Sequence, residues 1–96
     1  MTALAQPWAE GTKLRLAPSM RLQWEQAQEC HVLLYPEGMV QLNNSAAAIL
    51  ELCDGTRDVE AIVADLHAKY PQAGDLSQDV CEFFEVAAAQ GWVRAA

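Results

Sequence analysis

Residues 31–66 have the sequence HVLLYPEGMVQLNNSAAAILELCDGTRDVEAIVADL, which places two apolar runs and two amphipathic segments close together. The apolar runs His31–Tyr35 and Met39–Leu42 flank Pro36, Glu37 and Gly38. Proline presets φ for the first turn position and glycine tolerates positive φ, so the pattern predicts a β-hairpin with a three-residue loop and a bulge. No catalytic motif is recognisable here, which indicates a platform for holding another molecule.

The expected loop also fixes a register for the hairpin. Tyr35 would oppose Met39, and Leu34 would oppose Val40. One face would then carry Val32, Leu34, Val40 and Leu42, and the opposite face Leu33, Tyr35 and Met39. Both faces are apolar in this register, so one would cover the helices and the other would need the N-terminal segment, a second copy or a partner.

Three amphipathic helices are predicted after the hairpin, each with apolar residues at helical spacing. Their expected starts are Asn43 or Asn44, Asp58, and Asp75 or Ser77, all residue types that cap helices well. Gly55 is expected to end the first helix through the left-handed conformation that glycine adopts at low cost, and Gly91 is expected to close the third helix.

The part of the chain before the hairpin divides into two expected regions. Residues 1–19 contain two prolines and a glycine without a sustained period, and we predict an N-terminal arm there. Its possible packing residues are Trp8, Leu14 and Leu16. Arg21–Glu25 alternates polar and apolar residues, which predicts a first strand. Residues 20–96 are therefore expected to form one α+β, winged-helix-like domain, with a three-stranded antiparallel sheet followed by a three-helix bundle.

The charge of the chain argues against two classes of partner. The 96 residues carry a net charge of −7, and the expected third helix contains no lysine or arginine. Nucleic acid and anionic membranes repel such a surface, so we expect neither as a partner. No apolar run approaches the length of a membrane span and no secretory signal is recognisable, so a cytoplasmic location is expected.

The sequence offers little for catalysis or for cofactor binding. Cys30, Cys53 and Cys81 are odd in number and widely spaced, which indicates free thiols in a reducing compartment. His31 and His67 are far apart in sequence. We find no phosphate-binding loop, catalytic triad or metal-ligand spacing, and therefore predict no enzyme activity, no cofactor and no metal.

An extended peptide fits the expected edge strand better than nucleic acid fits the expected third helix. Its backbone groups can pair with Met39, Val40, Gln41 and Leu42, as strand-adding domains do. The predicted groove is floored by the apolar face of the third helix, comprising Val80, Phe83, Phe84 and Ala87. The residues alone leave open that these phenylalanines are ordinary core and that the edge has no guest.

The sequence RLQWEQAQECHVLLYPEGMVQLNNSAAAILELCDGTRDVEAIVADL from Arg21, with Asp79-Val80 and Gly91–Val93, resembles the PqqD family over about Pro18 to Val93. That resemblance implies a RiPP recognition element, a domain that binds the leader of a ribosomally made precursor peptide against its third strand and third helix. It also implies a role in pyrroloquinoline quinone (PQQ) biosynthesis. The expected partners are the precursor PqqA and the radical-SAM enzyme PqqE, which crosslinks a Glu and a Tyr of that peptide.

Two alternatives remain beside a non-catalytic peptide chaperone. The protein could instead carry the quinone product or an intermediate, although its six basic residues are scattered. It could also be a dimeric structural or interaction module, because an exposed strand edge favours self-association and a homodimer.

Overall fold

The computed structural model describes residues 8, 9 and 11–96. Within them the chain forms strands, three α-helices and one short 3-10 helix. In chain order these are β1 (Leu14–Leu16), β2 (Arg21–Glu25), β3 (Cys30–Tyr35), β4 (Gly38–Leu42), α1 (Asn44–Glu51), β5 (Asp54–Arg57), α2 (Val59–Lys69), the 3-10 helix (Pro71–Ala73), α3 (Ser77–Gln90) and β6 (Val93–Ala95).

The strands form two antiparallel sheets of three strands each. One sheet has the order β2-β3-β4, and the other has the order β5-β1-β6. The mixed α/β class, the first sheet and the three helices are confirmed. The second sheet was not predicted, because its strands are very short and lie far apart in the sequence. The likeness to a winged helix stays a prediction.

The hairpin closes with two loop residues, so the predicted register is wrong by one position. Tyr35 pairs with Gly38, which leaves only Pro36 and Glu37 in the loop. Gly38 has φ +155°, a conformation that other residues rarely adopt, and it enters the strand instead of closing the turn. A slip of one residue turns every side chain of β4 to the other face relative to β3.

Each face of the first sheet is therefore different from the one expected. The face toward the helices carries Leu22, Leu33 and Val40, which lie in cross-strand register, and Leu42, which pairs with His31. The outer face carries Val32, which is 1% exposed and lies between its cross-strand neighbours Gln23 and Gln41. The outer face is thus mixed in character and not uniformly apolar.

Local signals set two of the helix starts. Asn43 caps α1, its side-chain oxygen accepting from the Ala46 N–H at 2.8 Å, and Asp58 caps α2 by accepting from the Ala61 N–H at 2.8 Å. Gly91 ends α3, as predicted, and it does so in the left-handed conformation. Gly55 does not end α1, because the helix stops at Glu51 and Gly55 lies inside β5.

Part of the segment expected as an arm is folded into the domain. β1 lies between β5 and β6, and Leu14 is fully buried. Trp8 packs edge-on against Phe84, with ring centroids 5.8 Å apart. The rest of the expected arm, residues 1–7 and Glu10, lies outside the described residues.

One buried cluster joins the two sheets and the helices. It contains Leu14, Leu33, Leu42, Ala47, Ile49, Leu50, Cys53, Ile62, Leu66, Val80, Phe84, Ala87 and Val93. Burial of this apolar surface is the main stabilising contribution to the fold. Because the cluster takes residues from both sheets, neither sheet is an independent unit.

Candidate functional site

The outer edge of β4 is open in the described part of the chain, where β4 pairs only with β3. In a two-residue hairpin the residues flanking the loop exchange both backbone hydrogen bonds, and inward and outward groups then alternate along the strand. The Val40 backbone groups therefore point to β3. Those of Met39 and Gln41 point away from the sheet and are available to another chain.

The four predicted site residues on β4 divide between the two faces. The side chains of Met39 and Gln41 are exposed on the outer face, and Met39 is 47% exposed. The Gln41 amide nitrogen donates to the Gln28 side-chain oxygen across that face. Val40 is half-buried against the core, and Leu42 is buried within it. A strand added at this edge would thus lie beside Met39 and Gln41 on the outer face of the sheet and beside Val40 and Leu42 on the face toward the core.

The predicted site residues on α3 are mostly core. Val80, Phe84 and Ala87 are each at most 1% exposed. Phe83 is half-buried, with its ring 5.9 Å from Phe84 and 6.4 Å from Trp92. Without movement of the helix, only Phe83 of this set presents surface to a guest.

Val86 is an exposed apolar residue of α3 that the sequence analysis did not select. It is 52% exposed and lies three residues after Phe83, hence on the same side of the helix. The sequence signal for this exposure was that Val86 is apolar but lies outside the helical stripe of Val80, Phe84 and Ala87. Phe83 and Val86 together form the accessible apolar strip of α3.

The strand and helix parts of the predicted site have different close neighbours. β4 packs against α1, whereas α3 packs against α2 and β6. The two parts meet in the core, where Leu42 belongs to the same buried cluster as Val80 and Phe84. Which of the eight predicted residues contact a peptide stays a prediction.

The segment between α1 and α2 is held by a polar network. Thr56 donates to the Asp54 carboxylate from its backbone N–H at 3.0 Å and from its hydroxyl at 2.5 Å. The guanidinium of Arg57 bonds Asp65 at 2.6 Å and Asp54 at 3.0 Å. These hydrogen bonds, chiefly those from Thr56, hold the pKa of Asp54 below its ordinary value, and the bond to Asp65 raises the pKa of Arg57. This network fixes β5 to α2, and we assign it a structural role.

The described residues offer few groups suited to chemistry. In residues 8, 9 and 11–96, no group of three or more His, Cys, Asp or Glu side chains is placed to hold a metal ion. No helix in that part of the chain has the length and apolar character to cross a bilayer. The open edge of β4 remains as a candidate site.

The fold and this edge define a small α+β domain of the kind that can accept an extended chain as an added strand. The family model of coenzyme PQQ synthesis protein D (PqqD) matches residues 30–93. This chain is 60% identical over 73 residues to the PqqA binding protein of Klebsiella pneumoniae (strain 342), covering 76% of this chain and 79% of the relative. The chain belongs to the PqqD family.

Two further comparisons agree with this assignment. The PqqA binding protein of Stutzerimonas stutzeri (strain A1501) is 60% identical over 74 residues, covering 77% of this chain and 80% of the relative. The solution NMR structure of the PqqD truncation of Methylobacterium extorquens PqqCD has a TM-score of 0.68 and 28% identity, and covers 84% of this chain and 87% of that one. That protein is described as a functional, stand-alone RiPP recognition element.

Proposed function

We propose that this protein is a non-catalytic peptide chaperone of PQQ biosynthesis that binds the precursor PqqA at the edge of β4. The open edge is the observation that carries the proposal, since it supplies unpaired donors and acceptors in the spacing of a strand. Relatives at 60% identity are named PqqA binding proteins, and the similar Methylobacterium structure is described as a RiPP recognition element. The odd number and wide spacing of the three cysteines support a cytoplasmic location.

Strand addition makes a specific demand on the geometry of β4. Met39 and Gln41 each offer one outward N–H and one outward carbonyl, so a guest strand gains about four backbone hydrogen bonds there. Val40 contributes its side chain on the core side of the sheet. Met39 contributes its side chain on the outer face.

Amide hydrogen exchange tests this arrangement. With the PqqA peptide bound, the Met39 and Gln41 amides are expected to exchange at least tenfold more slowly, because each gains an acceptor. The other edge of the same sheet is an internal control, since the Leu22 and Trp24 amides point outward from β2 by the same alternation. Protection at β2 with none at β4 would contradict the proposal.

A proline variant tests the same edge by affinity. Gln41→Pro removes an outward donor without breaking a bond to β3, so we expect the Kd for the peptide to rise at least tenfold. Trp24→Pro removes the equivalent donor on the opposite edge, and its Kd is expected to stay within twofold of the original. Circular dichroism of both variants verifies the fold. Equal affinities in the two variants would exclude strand addition at β4.

We also propose that the loaded protein presents the peptide to the radical-SAM enzyme PqqE. A net charge of −7 favours a basic docking surface on such a partner. The expected result is that this protein raises the yield of crosslinked PqqA in a PqqE reaction and that Gln41→Pro loses most of the gain. An equal yield with and without the protein would contradict presentation.

A further inference from the structure

A cleft of about 530 Å³ lies between α1, the C-terminal end of α2 and the first turn of α3. Its floor consists of residues that are at most 5% exposed: Ala47, Ile49, Leu66 and Val80. Small-molecule sites commonly have volumes of about 300–1,000 Å³ and a mostly apolar lining. The cleft is therefore more than large enough to admit an apolar side chain, and its floor is apolar.

The rim of the cleft adds an aromatic ring and an excess of negative charge. Tyr70 stands at the rim and is 46% exposed. Glu51 and Asp79 are the acidic rim residues, and Lys69 is the basic one. Glu51 lies 3.2 Å from the imidazole of His31, whereas Asp79 makes no ion pair within the described residues. In a chain with a net charge of −7, this rim favours a cation beside the apolar group.

The cleft begins where β4 ends. Asn44 and Ser45 line it, and they follow Leu42, the last residue of β4, by two and three positions. From Asn44 to Glu51 the helix rises about 10 Å, a length that about three extended residues span. A chain paired with β4 and continuing past Leu42 would therefore reach the cleft within a few residues.

We propose that this cleft is a second anchor site for the peptide that binds β4. It takes an apolar side chain that lies about two to five residues beyond the paired stretch and next to a Lys or Arg in the peptide. The inference rests on the proposed function, because it requires a peptide already paired with β4. Continuity with that edge and the charge of the rim are the reasons for assigning the peptide and no other occupant.

Two cleft variants with matched controls test the site. Ala48→Arg places a bulky cation in the cleft, and its Kd for the PqqA peptide is expected to rise at least tenfold. Ala64→Arg, at an exposed position of α2 outside the cleft, is expected to stay within twofold. Asp79→Lys is expected to raise the Kd for the peptide about fivefold. Its control, Glu85→Lys on the same helix, is expected to raise the Kd less than twofold. Added salt should shrink the Asp79→Lys effect.

Amide chemical shifts distinguish the failure of this inference from the failure of the proposed function. Titration of the labelled protein with the PqqA peptide is expected to shift Ser45, Ala48 and Tyr70 together with Met39 and Gln41. Shifts at β4 alone, with Ala48→Arg binding normally, would overturn the second anchor and leave the proposed function standing. If neither the cleft residues nor β4 shift, both proposals are overturned. The inference is also overturned if the cleft residues shift while β4 does not. The same holds if the cleft residues shift with protein concentration in the absence of peptide.

Discussion

At the scale of single residues, burial decides the chemistry of Cys53. Cys53 is 4% exposed, and its thiol donates a hydrogen bond to the Ile49 carbonyl oxygen at 3.4 Å. Desolvation raises the pKa of this thiol to about 12, and the neighbouring Asp54 carboxylate adds to the rise. The thiolate is the reactive form, so Cys53 acts as a small apolar core residue.

Alkylation of the folded protein tests this. At pH 8, a pKa of about 12 leaves about one Cys53 thiol in ten thousand ionised, so iodoacetamide should modify the half-buried Cys30 long before Cys53. Mass spectrometry of the peptides measures the order. In denaturant the two cysteines should react alike, which serves as the control. Equal labelling rates in the native protein would show that Cys53 is accessible.

At the scale of elements, β1 links the ends of the chain to its middle. It is the central strand between β5 and β6, so residues 14–16 contact segments about 40 and 80 positions away. The backbone of Ala17 continues this contact by donating to the Trp92 carbonyl oxygen at 2.9 Å. Such long-range pairing joins the N-terminal part of the chain to β5, β6 and the end of α3.

Truncation of a β1 side chain should therefore destabilise the whole domain. Leu14 is fully buried, and Leu14→Ala is expected to lower the free energy of unfolding by about 2–5 kcal/mol. Urea unfolding with a single cooperative transition measures the change. Lys13→Ala, at the exposed neighbouring position, is the control, with an expected change within about 0.5 kcal/mol. A small effect of Leu14→Ala would mean that β1 is dispensable.

At the scale of the whole molecule, two open strand edges coexist with a strongly acidic surface. In the described part of the chain β2 and β4 each pair only with β3, which leaves both outer edges of that sheet unpaired. Open edges favour association through strands, whereas a net charge of −7 opposes it. Association is therefore expected only at high protein concentration or high salt.

We predict a dimer in concentrated solution that the PqqA peptide dissociates, because strand addition at β4, as proposed for the peptide, would compete with pairing of two copies there. Light scattering over a dilution series, with and without peptide, measures this. Gln41→Pro should weaken the dimer, and Trp24→Pro should not. A monomer at every concentration would refute the prediction, and a dimer unaffected by peptide would place its interface elsewhere.

The sequence by itself determined the features that depend on near neighbours. Asn43 and Asp58 cap their helices through bonds to N–H groups three positions ahead, and Gly91 ends α3 by its own conformational freedom. The family was also accessible from the sequence, because residues 30–93 carry its pattern.

Only the tertiary structure decided the features that depend on distant partners. The pairing of Gly38 with Tyr35 set which side of β4 faces the core, and the second sheet formed from three short segments that meet through the fold. Burial likewise separated Val80, Phe84 and Ala87 from the accessible Phe83. The physical reason is that periodicity records which residues are apolar, whereas contact between remote segments decides which of them become core.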